Sequence, residues 1–394
     1  MSDTPLFISL IYCLDTEQGH LLSYNVCMGD ACRLNGWEHT AAVRAAARVR
    51  ELPNGWMRSL GVPSEPWGPR PVRMWRKFFS FIETTAAYLT RTLGSGERPV
   101  VLFLEWFDLV HIIAFLLALQ RVPRQQLRHT AIWINFRFGF QRNFNLMAMK
   151  TILALIERRT PGRLVIFTEN DLVAKSHAHT LGRTAYVLPM PQMVTPEEPW
   201  QLPEYAHSSD RTNRLVCFWP GQAAADKGLE LVRSLTRSTS EDARRLVVVA
   251  DESAGFQQTP NGCEVILLKK GLPRDLYIGW LRTMDLALVP YSPDTYANRT
   301  SGIFGDAIAV GVPPVVTDGT WMAHELRRFG LDALIIDWTA PDVAAALMRL
   351  AHDPEIKARM APLVATYSDF HSRRGYARVI NQIYSASASL PKQL

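Results

Sequence analysis

Short apolar runs alternate with longer stretches in which apolar positions return every three or four residues, and this pattern persists along the whole chain. The runs read as buried strands and the periodic stretches as amphipathic helices. In the first half, strands are expected at residues 6–14 (LFISLIYCL), 100–104, 130–135, 163–168 and 185–189, with helices near 20–35, 71–92, 107–121, 142–158 and 170–180. A second series follows. Its strands are expected at 215–220, 245–250, 264–268, 286–291 and 313–317, and its helices near 227–236, 273–283, 302–310, 320–328, 340–351 and 354–364.

Between the two series, MPQMVTPEEPWQLPEYAHSSD (190–210) carries four prolines and no periodicity, which predicts a linker. Alternation of this kind is the mark of an α/β protein with helix-covered parallel sheets, and 394 residues exceed what one core usually accommodates. The expected organisation is therefore a domain over 1–190, a linker over 191–212, a second domain over 213–370, and a C-terminal helix within 371–394 that packs back on the first domain. Two Rossmann-like units facing each other across a cleft would bring strand ends together where α/β folds bind ligands.

Composition narrows the class without naming a reaction. Hydrophobic residues at 47% and charged residues at 20% are ordinary for a globular protein. The five cysteines (Cys13, Cys27, Cys32, Cys217 and Cys263) are odd in number and form no C-x-x-C pair, so neither a disulfide framework nor a zinc site is indicated and a reducing cytoplasm fits. The N-terminus lacks the basic region of a signal peptide and reads as a first strand. The most apolar window, Val100 to Leu119, is interrupted by Glu105, Asp108 and His111, which argues against a membrane span.

Charge is distributed unevenly. Residues 1–207 hold 22 Lys+Arg against 17 Asp+Glu, whereas residues 208–394 hold 21 against 20. From Arg121 to Arg163 nine basic residues accompany one acid, Glu157, which fits either a solvated basic face or an anionic partner such as a membrane surface or a phosphate-bearing acceptor. PVRMWRKFFSF (71–81) interleaves Arg73, Arg76 and Lys77 with Trp75, Phe78, Phe79 and Phe81; RFGFQRNFNLMAMK (137–150) repeats the mixture. Such a helix either packs its aromatics inward, the plainer reading, or rests on a membrane with its rings at the headgroup boundary. No nucleic-acid module is recognisable, and no nucleic-acid partner is expected.

The most informative chemistry lies in DLALVPYSPDTYANRTSGIFGDAIAVGVPPVV (285–316): a strand, a polar loop, then a helix opening at Ser301-Gly302. Free amides and the dipole make such a helix start favourable to phosphate, and Gly302 permits close approach. One turn further, Asp306 is spaced to accept hydrogen bonds from a ribose, although Ser301 and Asp306 also suit a plain N-cap and a dipole-complementing acid. After the strand at 215–220, Gly221 is followed by Lys227-Gly228 opening the next helix, which places a lysine where it can neutralise a diphosphate. An Asp-x-Asp metal motif is absent. Lys227, Arg299 and the amides after Thr300 would then stabilise a departing diphosphate without metal or cofactor.

The order Gly221, Lys227-Gly228, LPRDLYIGWLRTMDLALVPY and SGIFGDAIAVGVPPVV, over about residues 214–365, resembles the donor domain of GT-B glycosyltransferases, especially family 4. In that family the last segment usually reads Glu-x7-Glu-Ala-x-Ala-x-Gly-x-Pro-Val-Val. The resemblance implies a GT-B fold and a nucleotide-sugar donor. It places Asp306 at the second glutamate, which holds the ribose, and Lys227 at the diphosphate lysine; the free amides of the helix start make Ser301 to Ile303 the expected seat of the diphosphate. Asn298 stands where the first glutamate contacts the transferred sugar, and Gln222 where an arginine follows the glycine; Arg299 is placed to compensate. In the first half, Thr16-Glu17-Gln18-Gly19-His20 looks like the first loop of GT-B acceptor domains, with His20 a candidate contact to the sugar or a plain helix residue.

Glu105 and Asp108, past the strand at 100–104, are candidate general bases for an inverting reaction or simple helix caps. The expected function is transfer of a sugar to a glycan or lipid-linked acceptor in surface polysaccharide or glycoconjugate synthesis, in the cytoplasm or at the inner membrane face, with retention favoured. The rivals are a GT-B nucleotide-sugar epimerase or phosphorylase, and a catalytically silent sugar-nucleotide-binding scaffold.

Overall fold

A computed structural model describes residues 4–16, 20–63, 69–137, 143–190, 194–195, 198–207 and 214–388. The chain divides into two compact units: unit 1 comprises residues 1–192 and 373–394, and unit 2 comprises residues 193–372.

Unit 1 contains strands β1 (Leu6–Ile11), β2 (Glu38–Arg44), β3 (Trp56–Leu60), β4 (Val100–Leu104), β5 (Thr130–Asn135), β6 (Leu164–Thr168) and β7 (Ala185–Val187). They pair in parallel in the order β3-β2-β1-β4-β5-β6-β7. Helices cover both faces, so alternate strand residues enter different cores. Ile8, Leu10, Leu102, Leu104, Ile132 and Ile134 join one core, while Phe7, Val101, Phe103, Ala131 and Trp133 join the other. Burial on both faces explains the unbroken apolar runs in the sequence. The second core also receives Tyr376, Ala377, Ile380 and Ile383 from the C-terminal helix Arg373–Ala388, which packs beside the helix His20–Leu34.

Strands β2 and β3 fall in a stretch that the apolar pattern leaves unassigned. Only Ala41, Ala42 and Val43 of EHTAAVR are buried, and the β3 edge exposes Met57 and Arg58, so neither element forms a continuous apolar run. The apolar window at 100–119 is divided between β4 and the helix Leu109–Arg121. Among the described residues no helix is long and apolar enough to cross a membrane.

Unit 2 repeats the arrangement with β8 (Leu215–Trp219), β9 (Leu246–Asp251), β10 (Glu264–Leu268), β11 (Leu286–Val289), β12 (Pro314–Thr317) and β13 (Ile335–Ile336). The sheet is parallel, in the order β10-β9-β8-β11-β12-β13. The proline-rich stretch that precedes it lies against this unit over its described residues. The backbone amide of Gln201 donates to the Asp275 carbonyl at 3.2 Å, and the Arg282 guanidinium sits 5.7 Å from the Trp200 ring. Gly279 makes this seating possible, since a Cβ there would stand 1.7 Å from the Gln201 carbonyl oxygen.

Candidate functional site

In unit 2 the strand order reverses between β8 and β11, and the crevice beyond the carboxyl ends of such a pair is where open parallel sheets bind ligands. Both sequence-predicted segments leave the sheet there. After β8, Gly221 adopts φ +92°, and a Cβ on it would lie 2.9 Å from Ile303 Cδ1 and 3.5 Å from Lys227 Nζ. These three positions therefore meet at one point, although Ile303 is 82 residues (303 − 221) along the chain. Gln222 is exposed beside them.

Lys227 ends a short 3-10 turn, Ala225–Lys227, and does not open the following helix as the sequence suggests; Gly228 is left-handed at φ +81°, and the helix starts at Leu229. A Cβ on Gly228 would stand 2.2 Å from the Pro290 carbonyl oxygen, so the β8 loop is pressed against the β11 loop at this glycine. The contact is reinforced where the Ser292 amide donates to the Asp226 carbonyl at 2.9 Å, and within the β8 loop the Trp219 indole donates to the Lys227 carbonyl at 3.1 Å. Burial, first, and then the positive field of Arg299 hold the Lys227 ammonium below its ordinary pKa; Asp226 opposes this. The Arg299 guanidinium lies 5.2 Å from the Tyr296 ring, which is tilted 50° to the Tyr291 ring at 4.5 Å.

The helix Gly302–Ala309 starts beside these cations. Ser301 caps it, accepting the Phe304 amide at 3.2 Å, so the capping reading holds. The cap leaves the front of the helix open, because a Cβ on Gly302 would meet nothing within 4 Å. Two cations and a helix N-terminus around a position without side-chain cover form an anion-binding arrangement. Asn298 and Arg299 are exposed and Thr300 is half-buried in the loop leading to it.

Asp306 lies one turn into the helix but is only 9% exposed, and both carboxylate oxygens are already engaged. Oδ1 accepts the Val194 amide at 2.9 Å and Oδ2 accepts the Tyr277 hydroxyl at 3.1 Å. Burial, the largest influence, raises its pKa to about 6 against the opposing hydrogen bonds and Arg274. Its visible work is to tie the Val194 segment and the helix Arg274–Thr283 to the helix it belongs to. Each carboxylate oxygen can accept a second hydrogen bond, so a ribose hydroxyl could reach it only along its small accessible edge.

Unit 1 has its own reversal between β1 and β4. Glu105 follows β4 directly, 1% exposed, and its Oε2 accepts the Asn25 side-chain amide at 3.0 Å. Burial dominates and raises its pKa to about 8, with Glu169 adding to the effect and Arg137 opposing it. Glu169, the first residue after β6, forms a buried ion pair with Arg137, whose guanidinium also lies 4.2 Å from the Trp106 ring. Among the described residues Glu105 Oε1, Asn25 Oδ1 and both amide atoms of Asn135 find no hydrogen-bond partner. Buried polar atoms are normally paired, so this concentration marks a place suited to a hydroxylated ligand or ordered water.

Asp108 is a less suitable base than Glu105. It is the N-cap residue of the helix Leu109–Arg121, its own amide donates to His111 Nδ1 at 3.2 Å, and its side chain is exposed. His20 begins the helix His20–Leu34, but its side chain and the preceding residues 17–19 lie outside the described residues. The Arg137–Lys150 stretch is likewise outside over 138–142. Sequence reasoning missed Asn25, Asn135, Arg137, Glu169 and Tyr277. Asn135 and Glu169 sit at strand ends, a readable signal; Asn25 and Tyr277 acquire their roles through contacts 80 and 29 residues away, which no local pattern encodes.

No protein-family model matches this sequence, and no curated protein matches it either. Solved structures do resemble the whole chain. A trehalose-6-phosphate protein from E. coli bound with UDP-2-fluoro glucose is 12% identical, with 98% of this chain and 100% of that chain covered at a TM-score of 0.65. Sucrose-phosphate synthase from Thermosynechococcus elongatus is 13% identical, covering 97% and 98% at 0.64. The glycosyltransferase of kitacinnamycin is 14% identical, covering 96% and 99% at 0.53. At such low identity the likeness speaks for architecture, and the architecture of this chain is the GT-B fold of these glycosyltransferases.

Proposed function

We propose that this protein is a glycosyltransferase that takes a sugar from a nucleotide-activated donor held in unit 2. The observation that carries the reading is the meeting of Gly221, Lys227 and Ile303 beside Arg299 and the open N-terminus of the Gly302–Ala309 helix, at the strand-order reversal of the sheet. A nucleoside diphosphate leaving group develops negative charge as the bond from the sugar's anomeric carbon to the diphosphate oxygen breaks, while the acceptor oxygen bonds to that carbon and gives up its proton. Lys227, Arg299 and the amides of Gly302 and Ile303 are already in place to receive that charge without rearrangement. In this proposal Asp306 adds a ribose contact at its accessible edge, Gln222 lines the phosphates, and Asn298 touches the transferred sugar. The similarity in fold to a protein solved with UDP-2-fluoro glucose supports the donor class.

The acceptor in this reading is a glycan or lipid-linked saccharide, taken up by unit 1 in the cytoplasm or at the inner membrane face, with His20 and Glu105 as its polar contacts. An amide at Asn298 can hydrogen-bond a sugar hydroxyl but supplies no negative charge, and the family order around it favours retention.

The test is incubation with a panel of nucleotide sugars in the presence of a chelator, with and without saccharide acceptors. Acceptor-dependent release of nucleoside diphosphate is expected, and NMR of the product should show the donor's anomeric configuration preserved. Asn298→Ala should lower turnover more than nucleotide affinity. Release that needs no saccharide acceptor would point to an epimerase or phosphorylase, complete loss restored by manganese would refute metal independence, and inversion would transfer the base role to Glu105. Nucleotide binding without turnover would mark a silent scaffold.

A further inference from the structure

The groups that face the diphosphate in unit 2 stand on two buried tyrosines. β11 ends at Val289, and the Tyr291 amide turns back to donate to the Val289 carbonyl at 2.8 Å, so the chain leaves the sheet in a tight turn around Pro290. The one-turn helix Pro293–Tyr296 follows, its last amide donating to the Ser292 carbonyl at 2.9 Å. Neighbouring loops fix its start. The Asp226 carbonyl holds the Ser292 amide, and Gly319, left-handed at φ +72°, leaves room for Pro293, whose Cβ would stand 3.3 Å from a Cβ there. Tyr291 and Tyr296 are only 2% and 4% exposed, and their rings lie 4.5 Å apart.

The two side chains differ in what they hold. The Tyr291 hydroxyl is hydrogen-bonded to the Ser301 hydroxyl, a bond that opposes the upward push of burial on the phenol. Ser301 in turn caps the helix Gly302–Ala309 by accepting the Phe304 amide at 3.2 Å. A serine hydroxyl rotates freely, and a second partner fixes the direction in which its lone pair faces that amide. Tyr296 holds a cation: the exposed Arg299 guanidinium lies 5.2 Å from its ring. An aromatic face holds a guanidinium without neutralising it, so the charge of Arg299 stays available to an anion.

We infer that Tyr291 and Tyr296 are positioning residues of the donor site, the first aiming the helix N-terminus through Ser301 and the second aiming Arg299, so that amides and cation meet the diphosphate from one buried aromatic pair. The inference rests on the reading of unit 2 as the donor side. Neither tyrosine touches the diphosphate in this account; each acts through its partner. The requirement therefore differs between them, a hydroxyl at Tyr291 and a ring face at Tyr296.

Calorimetric titration of the full chain and its variants with a panel of nucleoside diphosphates tests it. Tyr291→Phe keeps the ring and loses the bond to Ser301, and it should weaken binding roughly three- to tenfold. Tyr296→Phe keeps the ring face and should bind as the wild type does, whereas Tyr296→Leu should weaken binding roughly three- to tenfold. Paired variants separate positioning from packing. In an Arg299→Ala background Tyr296→Leu should cause no further loss, and in a Ser301→Ala background Tyr291→Phe should cause none. Circular dichroism verifies that each variant is folded at the titration temperature; should Tyr296→Leu fail to fold, Tyr296→Met, unbranched and adaptable, takes its place. Native affinity in Tyr291→Phe or in Tyr296→Leu overturns the inference. Losses that persist in full in the Ser301→Ala and Arg299→Ala backgrounds also overturn it, because the tyrosines would then act on the ligand or the fold directly. No affinity of the wild type for any nucleoside diphosphate would defeat the donor reading and the inference with it, whereas wild-type affinity with additive losses defeats the inference alone.

Discussion

Glu105 shows how one residue couples the fold to its chemistry. It leaves the central strand of unit 1 at the point where the strand order reverses, and the packing that makes β4 fully buried also denies its carboxylate solvent. The folded-state pKa of about 8 lies above the ordinary value of 4.5, so between these limits the folded protein keeps a proton that the unfolded chain has released. The resulting stability is fully present below the unfolded pKa and is lost as pH rises through about 8. Glu105→Gln keeps an acceptor for Asn25 and removes the titration. Its urea unfolding free energy should match wild type near the acid end and exceed it above pH 8 by several kcal/mol, about 5 at the limit. Parallel profiles for the two proteins across this range would contradict the assignment. Should the reaction prove to be inverting, the same variant would also abolish turnover, as expected for a base whose pKa lies near working pH.

At the scale of elements, the donor site depends on the β8 loop being held against the β11 loop. Gly228 is the point of closest approach, and its left-handed backbone and the Pro290 carbonyl both exclude a side chain. Gly228→Ala should therefore lower thermal stability by roughly 2–3 kcal/mol and weaken nucleotide binding together. A variant with native melting temperature and native affinity would show that the two loops are not coupled here. The strands and helices around this site were largely legible: β10 falls where its apolar run predicts, and Ser301 caps its helix as the serine-glycine pair suggests. Strands β2 and β3 were not, because their burial rests on neighbours and not on their own apolar content. Likewise, Asp306 stands out by its place in the motif, but its partnership with Val194, 112 residues away, belongs to tertiary packing and leaves no trace in local periodicity.

For the molecule as a whole, two parallel sheets repeat one architectural plan with different equipment at the reversal point. Unit 2 offers cations and a helix N-terminus, which suits a diphosphate. Unit 1 offers Glu105, Asn25 and Asn135, buried and rich in unmatched hydrogen-bonding capacity, which suits hydroxyl groups. The division of labour in the proposal follows from that contrast, with donor charge handled in one unit and acceptor hydroxyls in the other.

The most direct measurement is calorimetric titration of the protein with a nucleoside diphosphate, repeated with Lys227→Ala and Arg299→Ala. Binding should be weakened roughly 10- to 100-fold by each substitution, the range for losing one hydrogen bond to a charged group, with circular dichroism unchanged. Because the ligand would restore the depressed Lys227 pKa, wild-type binding should take up protons at alkaline pH and tighten as pH falls, and Lys227→Ala should lose that dependence. Unaltered affinity in both variants, or no affinity for any nucleoside diphosphate in the wild type, would contradict the donor site.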